Sequence, residues 1–185
     1  MVRAHRRACV RVRRDTVTNQ VYSASYAQDR AEIEDLLARY LFALDWNDFE
    51  TFGETFTEDA TFEYARGTAS GRDAIVATIR GFKERIGTLY TDDKGNPAIL
   101  RHVLGQTVIR MEGERAWTTA FWWEMANNGP GNSPLIGTFG IYEDELRKDN
   151  GAWKFSRRRV LNEFLEGRQS SVENPVLAMD AIASA

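Results

Sequence analysis

The first predicted helix ends in the stretch Tyr40-Leu41-Phe42-Ala43-Leu44-Asp45-Trp46-Asn47-Asp48. Apolar residues lead into it at the spacing of one helical face; they are Ile33, Leu36, Leu37, Tyr40, Leu41 and Leu44. Asp45 follows that face directly, although the helix dipole opposes a carboxylate at a C-terminus by up to about 1 kcal/mol. Asp45 is therefore either hydrated at a chain reversal or held by a cationic or proton-donating group, for which His102 is the best candidate.

The composition indicates one domain with a sizeable core. The chain has 185 residues, of which 43% are hydrophobic and 11% aromatic, and single domains typically contain about 100–200 residues. No apolar run approaches the ~20 residues that a membrane span needs, so we predict no membrane partner. The single cysteine, Cys9, excludes an intrachain disulfide and a thiolate zinc site. A reducing, cytoplasmic setting fits best.

Residues 1–24 are predicted to be a flexible Arg-rich arm, or the product of an upstream start codon. Residues 1–18 carry six arginines against one aspartate, whereas the whole chain has a net charge of −3. The arginine pairs at 6–7 and 13–14 are not followed by the apolar segment of an export signal. A nucleic-acid-binding arm is the alternative. Because the rest of the chain is acidic and offers no basic face, we predict no nucleic-acid partner.

Three helices are predicted in the first half of the chain. Each is placed by a pair of residues with the three-residue spacing of a capping box; the pairs are Asp29–Glu32, Asn47–Glu50 and Ser70–Asp73. The first helix runs from about Asp29 to Leu44. A strand at 59–64 and a loop at 66–71 precede the third helix. The polar segment 87–97 is predicted to be a long loop of the kind that often covers a binding site.

From Ile99 onward the hydrophobic period changes to two, which predicts strands. Four are expected, at 99–111, 115–126, 134–148 and 152–164. Their short connections, one containing Asn150-Gly151, require an antiparallel meander. Residues 25–165 are therefore predicted to form an α+β domain, whose long sheet twists and can curl around a helix. The tail, 166–185, has no assigned structure.

His102, near the start of the first long strand, is the candidate for chemistry. A histidine titrates near neutral pH and can transfer protons without a cofactor. It works best when a carboxylate fixes its tautomer, and Asp45 would do so if the helix end abuts the strand start. The alternative is a core or interfacial histidine and an unrelated aspartate in a surface turn.

Other chemistries lack their motifs in this sequence. One histidine and no cysteine within the domain predict no metal site, because metal sites draw on several such ligands. Neither a G-x-S-x-G elbow, a phosphate loop nor a G-x-G-x-x-G segment is present. An enzyme with this sequence is therefore expected to use acid–base chemistry without a cofactor.

Four segments together resemble the SnoaL-like branch of the nuclear transport factor 2 (NTF2-like) superfamily. These segments are 29–45, 56–62 with 71–75, 101–107 and 151–155, and the resemblance covers roughly residues 25–165. It implies a cone in which a strongly curved antiparallel sheet wraps around the N-terminal helices. It also implies a homodimer or homotrimer.

Within that superfamily, Asp45 and His102 match the Asp–His dyad of the scytalone dehydratase and hexachlorocyclohexane dehydrochlorinase type. The resemblance implies that the histidine moves a proton to or from a small apolar ring compound such as a polyketide, steroid or terpenoid-phenol. The dehydrochlorinase type has a lysine five residues before the aspartate, where this chain has Tyr40. We therefore expect dehydration, isomerisation or cyclisation of an oxygenated substrate, and not dehalogenation.

Four aromatic residues are predicted to bind the substrate, with core packing as the alternative for each: Tyr40, Tyr64, Tyr90 and Trp123. Trp122 and Trp123 are neighbours in a strand and must point to opposite faces, so one of them is expected to meet something outside the cone, such as a second subunit. Two other functions remain open. These are a non-catalytic module that binds a ligand or partner protein, and a small structural subunit of a multicomponent oxygenase.

Overall fold

The computed structural model describes residues 24–163, 167 and 170–182. The elements are α1 (Ala24–Trp46), α2 (Phe49–Glu54), β1 (Phe56–Tyr64), β2 (Gly67–Ser70), α3 (Arg72–Leu89), β3 (Leu100–Glu112), β4 (Arg115–Ala126), β5 (Leu135–Asp149), β6 (Ala152–Asn162) and α4 (Pro175–Ile182). The predicted α+β class, with helices before a four-strand meander, is confirmed. The predicted arm lies outside the described residues except for Ala24. No described helix is both long and apolar enough to cross a membrane.

The six strands form one curved sheet in the order β2-β1-β6-β5-β4-β3. Strands β3 to β6 are the predicted antiparallel meander, whereas β1 pairs with β6 in parallel. The register shifts within β3, β4 and β5 are irregularities of the kind that bend strands and increase their twist. The sheet consequently curves, and α1 contacts both β3 and β6.

An aromatic cluster around Tyr40 joins α1 to the sheet. The centroid of its ring lies 5.1–6.2 Å from the ring centroids of Phe52, Phe56, Tyr142 and Phe155. Such pairs contribute about 0.5–1.5 kcal/mol each beyond the area that they bury. The apolar face from which α1 was predicted therefore packs against residues from α2, β1, β5 and β6.

All three predicted helix caps are wrong. Asp29 lies inside α1, which is already helical at Ala24. Asn47 has the left-handed backbone of φ 58° and ends α1, because the next amide, that of Asp48, returns to the carbonyl of Ala43 at 2.9 Å. Asparagine tolerates this conformation better than most residues. The residue that caps α2 is Asp48, whose carboxylate accepts the Thr51 amide at 3.1 Å. Helix α3 begins after Gly71, at φ 87°, without a side-chain cap.

Two segments contain regular structure that the sequence did not predict. The predicted loop at 66–71 includes the short strand β2, which pairs with β1, because two turn residues after Tyr64 are enough to reverse the chain. Within the unassigned tail, α4 places Met179 in a buried position. The predicted hairpin at Asn150-Gly151 is confirmed, and both residues have the positive φ that a tight reversal needs.

A buried ion pair beside the Tyr40 ring joins the neighbouring strands β5 and β6. Nε and Nη2 of Arg158 donate to the two carboxylate oxygens of Asp144 at 2.7 and 2.8 Å, and the Thr118 hydroxyl donates to the same carboxylate at 2.8 Å. The Arg158 guanidinium lies 4.0–4.3 Å from the ring centroids of Tyr40, Tyr142 and Phe155. Both charged side chains are fully buried, so each depends on the other for neutralisation.

We predict that Asp144→Asn lowers the free energy of unfolding by about 3–5 kcal/mol, because it leaves the buried Arg158 without its counter-ion. Urea denaturation measures the loss. The matched control is Glu145→Gln on the neighbouring residue, whose ion pair with Arg157 is partly exposed and is expected to matter by less than about 1 kcal/mol. Equal stabilities for the two variants would contradict the assignment of this ion pair.

Candidate active site

Asp45 joins the end of α1 to the start of β3. Its Oδ2 accepts the backbone N–H of His102 at 2.7 Å, and its Oδ1 lies 2.6 Å from Nδ1 of the same residue. The Arg101 guanidinium stacks 3.8 Å from the Trp46 ring centroid and donates to the Asp45 carbonyl at 3.4 Å. A cation and two N–H donors at the helix terminus therefore offset the dipole that opposes a carboxylate there. Asp45 is buried and is not hydrated at a surface turn.

His102 lies between two carboxylates. Its Nε2 is 3.4 Å from Oε2 of Glu124, on the side opposite Asp45, and its side chain is only 6% exposed. Burial alone would lower the pKa of His102, but hydrogen bonds and charges from Asp45 and Glu124 outweigh it and raise the pKa above its ordinary value. Because Nδ1 lies 2.6 Å from Oδ1 of Asp45, we assign a proton to Nδ1, which donates a hydrogen bond to the carboxylate.

Sequence reasoning missed Glu124. It lies directly opposite His102 in the β3–β4 ladder, and its Oε1 accepts the Tyr90 hydroxyl at 3.4 Å. A Cβ atom at Gly137 would come within 2.7 Å of that oxygen, so the absence of a side chain there makes room for the carboxylate. The available signal was strand phase, because Glu124 shares the inward face with Trp122 and is a charge among aromatic residues.

A cavity of about 290 Å³ opens beside this pair. His102 and Glu124 form part of its wall together with three of the predicted substrate-binding residues, Tyr40, Tyr64 and Tyr90. Most of the remaining wall is apolar and comes from α1, β1, α3 and β6: Leu44, Phe62, Ile79, Phe82, Ile86 and Val160. The site therefore combines an apolar container with a small number of groups that exchange protons or donate hydrogen bonds.

Trp123 does not line the cavity, so its predicted place in the cavity wall is wrong. The alternation of side chains along β4 places its neighbour Trp122 inside instead, stacked on Tyr142 with centroids 5.3 Å apart. The Trp123 ring lies on the other face of the sheet, 3.3 Å from the position that a Cβ atom at Gly105 would take. The prediction was one residue off along the strand, which puts the side chain on the opposite face of the sheet.

The tyrosines of the cavity wall differ in their exposure to solvent. Tyr40 is 1% exposed, and burial raises the pKa of its phenol; the ring is thus a core residue and a wall residue at once. Tyr90 is half-buried, and burial followed by the nearby Glu124 carboxylate raises the pKa of its phenol. Both hydroxyls therefore stay protonated and can donate hydrogen bonds at neutral pH.

Potential metal ligands are not clustered in the described part of the chain. Within residues 24–163 and 170–182, no group of three His, Cys, Asp or Glu side chains has the arrangement needed to hold an ion. The polar groups that line the cavity are the imidazole of His102, the carboxylate of Glu124 and several phenols, together with the side chains of Arg66, Thr78, Thr138 and Asn162.

We predict that Asp45→Asn lowers the pKa of His102, because it removes one of the two charges that favour the imidazolium. NMR titration of the imidazole protons in a His5→Gln background leaves one histidine signal to follow.

The raised pKa of His102 in the folded protein also makes stability depend on pH. The stabilisation that the charged imidazole provides is complete below the unfolded-state pKa of about 6.5 and is lost as the pH rises through the folded-state pKa.

The matched control for this titration is Asp35→Asn, an exposed carboxylate on the same helix that pairs with Arg39. It is expected to leave the His102 titration unchanged. Identical titration curves for Asp45→Asn and the parent protein would show that the two residues are not electrostatically coupled.

Three solved structures share the fold of this chain. An NTF2-like protein with a cystatin-like fold from Novosphingobium aromaticivorans has a TM-score of 0.64 at 24% identity, covering 76% of this chain and 86% of that one. ActVI-ORFA from Streptomyces coelicolor has a TM-score of 0.64 at 20% identity, covering 76% and 98%. A candidate scytalone dehydratase from Novosphingobium aromaticivorans has a TM-score of 0.62 at 20% identity, covering 81% and 97%.

At these identities the likeness establishes the fold alone, and the predicted NTF2-like cone is confirmed. The SnoaL-like domain family matches residues 25–159, a span that runs from the start of α1 into β6 and includes every residue placed above in the Asp45–His102–Glu124 cluster. The chain therefore belongs to the SnoaL-like domain family.

Proposed function

We propose that this protein is a cofactor-independent acid–base enzyme, a dehydratase, isomerase or cyclase, that acts on a small oxygenated ring compound. The observation that carries the proposal is the pairing of Asp45 with Nδ1 of His102 at 2.6 Å, at the wall of an apolar cavity. A carboxylate in this position fixes the orientation of an imidazole and stabilises its charged form.

The cavity supports the substrate class. Its volume of about 290 Å³ suits a compound of a few fused or linked rings, and its aliphatic and aromatic walls favour an apolar skeleton. The phenols of Tyr40 and Tyr90 can donate hydrogen bonds to a hydroxyl, ether or carbonyl oxygen. Polyketide, steroid and terpenoid-phenol skeletons all meet these requirements.

His102 is the proposed group that exchanges a proton with the substrate. Asp45 occupies Nδ1, so the nitrogen available to a bound compound is Nε2, which lies on the Glu124 side and beside the cavity. Its raised pKa keeps a larger fraction of the imidazole protonated near neutral pH, which suits protonation of a leaving hydroxyl or of a carbonyl oxygen. Loss of that proton and its later recovery require no metal or organic cofactor.

One structural neighbour, a candidate scytalone dehydratase, agrees with dehydration as one of the three reaction types. Because one fold carries many activities, this agreement adds less weight than the site geometry.

A panel of neutral β-hydroxy ketones and enones on phenolic, polyketide and steroid skeletons tests the proposal. The compounds are incubated with the protein in heavy water, and mass spectrometry follows loss of water and exchange of carbon-bound hydrogen. For any compound that reacts, we expect His102→Gln to lower the rate by about 10²–10⁴-fold. Asp45→Asn is expected to lower it by about tenfold or more.

The control is again Asp35→Asn, which is expected to keep the parent rate. A protein that binds these compounds and converts none of them would contradict the enzymatic proposal and favour the non-catalytic binding module. Turnover that persists in His102→Gln would place the chemistry on another residue.

A further inference from the structure

Glu124 has a feature that a purely structural partner of His102 would not need. The two carboxylates that flank the imidazole are held at different distances: Asp45 lies 2.6 Å from Nδ1, whereas Glu124 lies 3.4 Å from Nε2. Charge-assisted hydrogen bonds normally close to about 2.7–2.9 Å. The Asp45 contact is a formed hydrogen bond. The Glu124 contact is longer, so Oε2 of Glu124 and Nε2 of His102 can each bind a third molecule.

From this geometry we propose that Glu124 is a second catalytic residue, which removes a proton from a substrate carbon while His102 donates a proton to the substrate oxygen. The inference rests on the proposed function and names the base of the same site. No other carboxylate is in the described wall of the cavity; both oxygens of Asp45 are already engaged by His102.

The surroundings keep Glu124 in place without closing it off. Its side chain is only 7% exposed, and its second oxygen is met by the Tyr90 hydroxyl, also at 3.4 Å. Gly137 supplies the space that the carboxylate occupies. A carboxylate in an apolar cavity is costly to desolvate. The charge of His102, whose pKa Glu124 helps to raise, offsets part of that cost, but both contacts to the carboxylate are longer than a normal hydrogen bond to a charged group. Buried polar groups that lack close hydrogen-bond partners occur at catalytic positions.

The protons and electrons balance within the site. For dehydration, the C–H bond breaks and its proton goes to Glu124, while its electron pair forms the C=C bond. The C–O bond breaks with its electron pair on oxygen, which takes the Nε2 proton of His102 and leaves as water. The neutral Glu124 carboxyl then returns its proton to Nε2 across the 3.4 Å gap, and the resting charges are restored.

The same pair of atoms constrains where the substrate reacts. Oε2 of Glu124 and Nε2 of His102 are 3.4 Å apart, so the lost hydrogen and the protonated oxygen must lie on the same face of the substrate and on nearby atoms. For isomerisation, Glu124 would take a proton from one carbon and deliver it to another, while His102 hydrogen-bonds the oxygen.

The test uses 5-nitrobenzisoxazole, a neutral bicyclic probe whose ring opens when a base removes its one reactive carbon-bound proton. The electron pair of that C–H bond forms a nitrile, the N–O bond breaks, and a coloured phenolate is released. We expect the wild-type protein to open the ring faster than acetate at the same concentration, and Glu124→Gln to slow it by about 10²-fold or more. Glu112→Gln, an exposed glutamate at the far end of β3, is the matched control and is expected to keep the parent rate.

A second variant separates catalysis from support of the fold. Glu124→Ala removes the carboxylate and opens space beside His102, so added formate is expected to restore ring opening in this variant and to have no such effect on Glu112→Gln. A structural role for Glu124 would not be rescued by a small free carboxylate. Thermal unfolding of each variant checks that the fold is intact.

The outcomes distinguish this inference from the proposed function. If His102→Gln abolishes ring opening while Glu124→Gln keeps the parent rate, His102 is the base, the role of Glu124 is overturned and the proposed function stands. If the wild-type protein is no faster than acetate, the role of Glu124 as a base is overturned, and conversion of the panel compounds then shows separately whether the proposed function stands.

Discussion

The bond between the Asp45 carboxylate and the backbone and ring of His102 is the constraint on which the rest of the site depends. It fixes the end of α1 against the start of β3 and so sets where the helix meets the curved sheet. The same carboxylate determines the tautomer of the imidazole and directs Nε2 toward Glu124. One aspartate thus serves both as a helix anchor and as an electrostatic partner. Arg101, on the Asp45 carbonyl, offsets the unfavourable position of the charge.

The sequence predicted the elements that depend on local patterns. The apolar face from Ile33 to Leu44 defined α1, and the alternation after Ile99 defined the meander, because both patterns report burial directly. The juxtaposition of Asp45 with His102 was inferred from chemistry and from the family resemblance. It could not be derived from periodicity, because the two residues are 57 positions apart.

The parts that the sequence did not predict depend on strand phase and register. Placing Trp123 instead of Trp122 in the cavity was an error of one residue, and one residue moves a strand side chain to the opposite face. Glu124 was missed because its pairing with His102 follows from the β3–β4 register, which a single sequence does not give. Asn47 and Asp48 were exchanged as caps because both residue types favour a helix start, and only the backbone distinguishes them.

The parallel pairing of β1 with β6 has a consequence for the order in which the molecule assembles. Phe62 lies opposite Arg158, so almost the entire domain must be synthesised before β1 has a neighbour on that side. The meander from β3 to β5 uses short connections and can form early. Docking of β1 carries a large loop-closure cost in entropy, which its contacts with β6 offset only after β6 has formed. A ribosome-bound chain that stops before β6 leaves the Tyr40 aromatic cluster without Phe155, and the wall of the cavity without Val160.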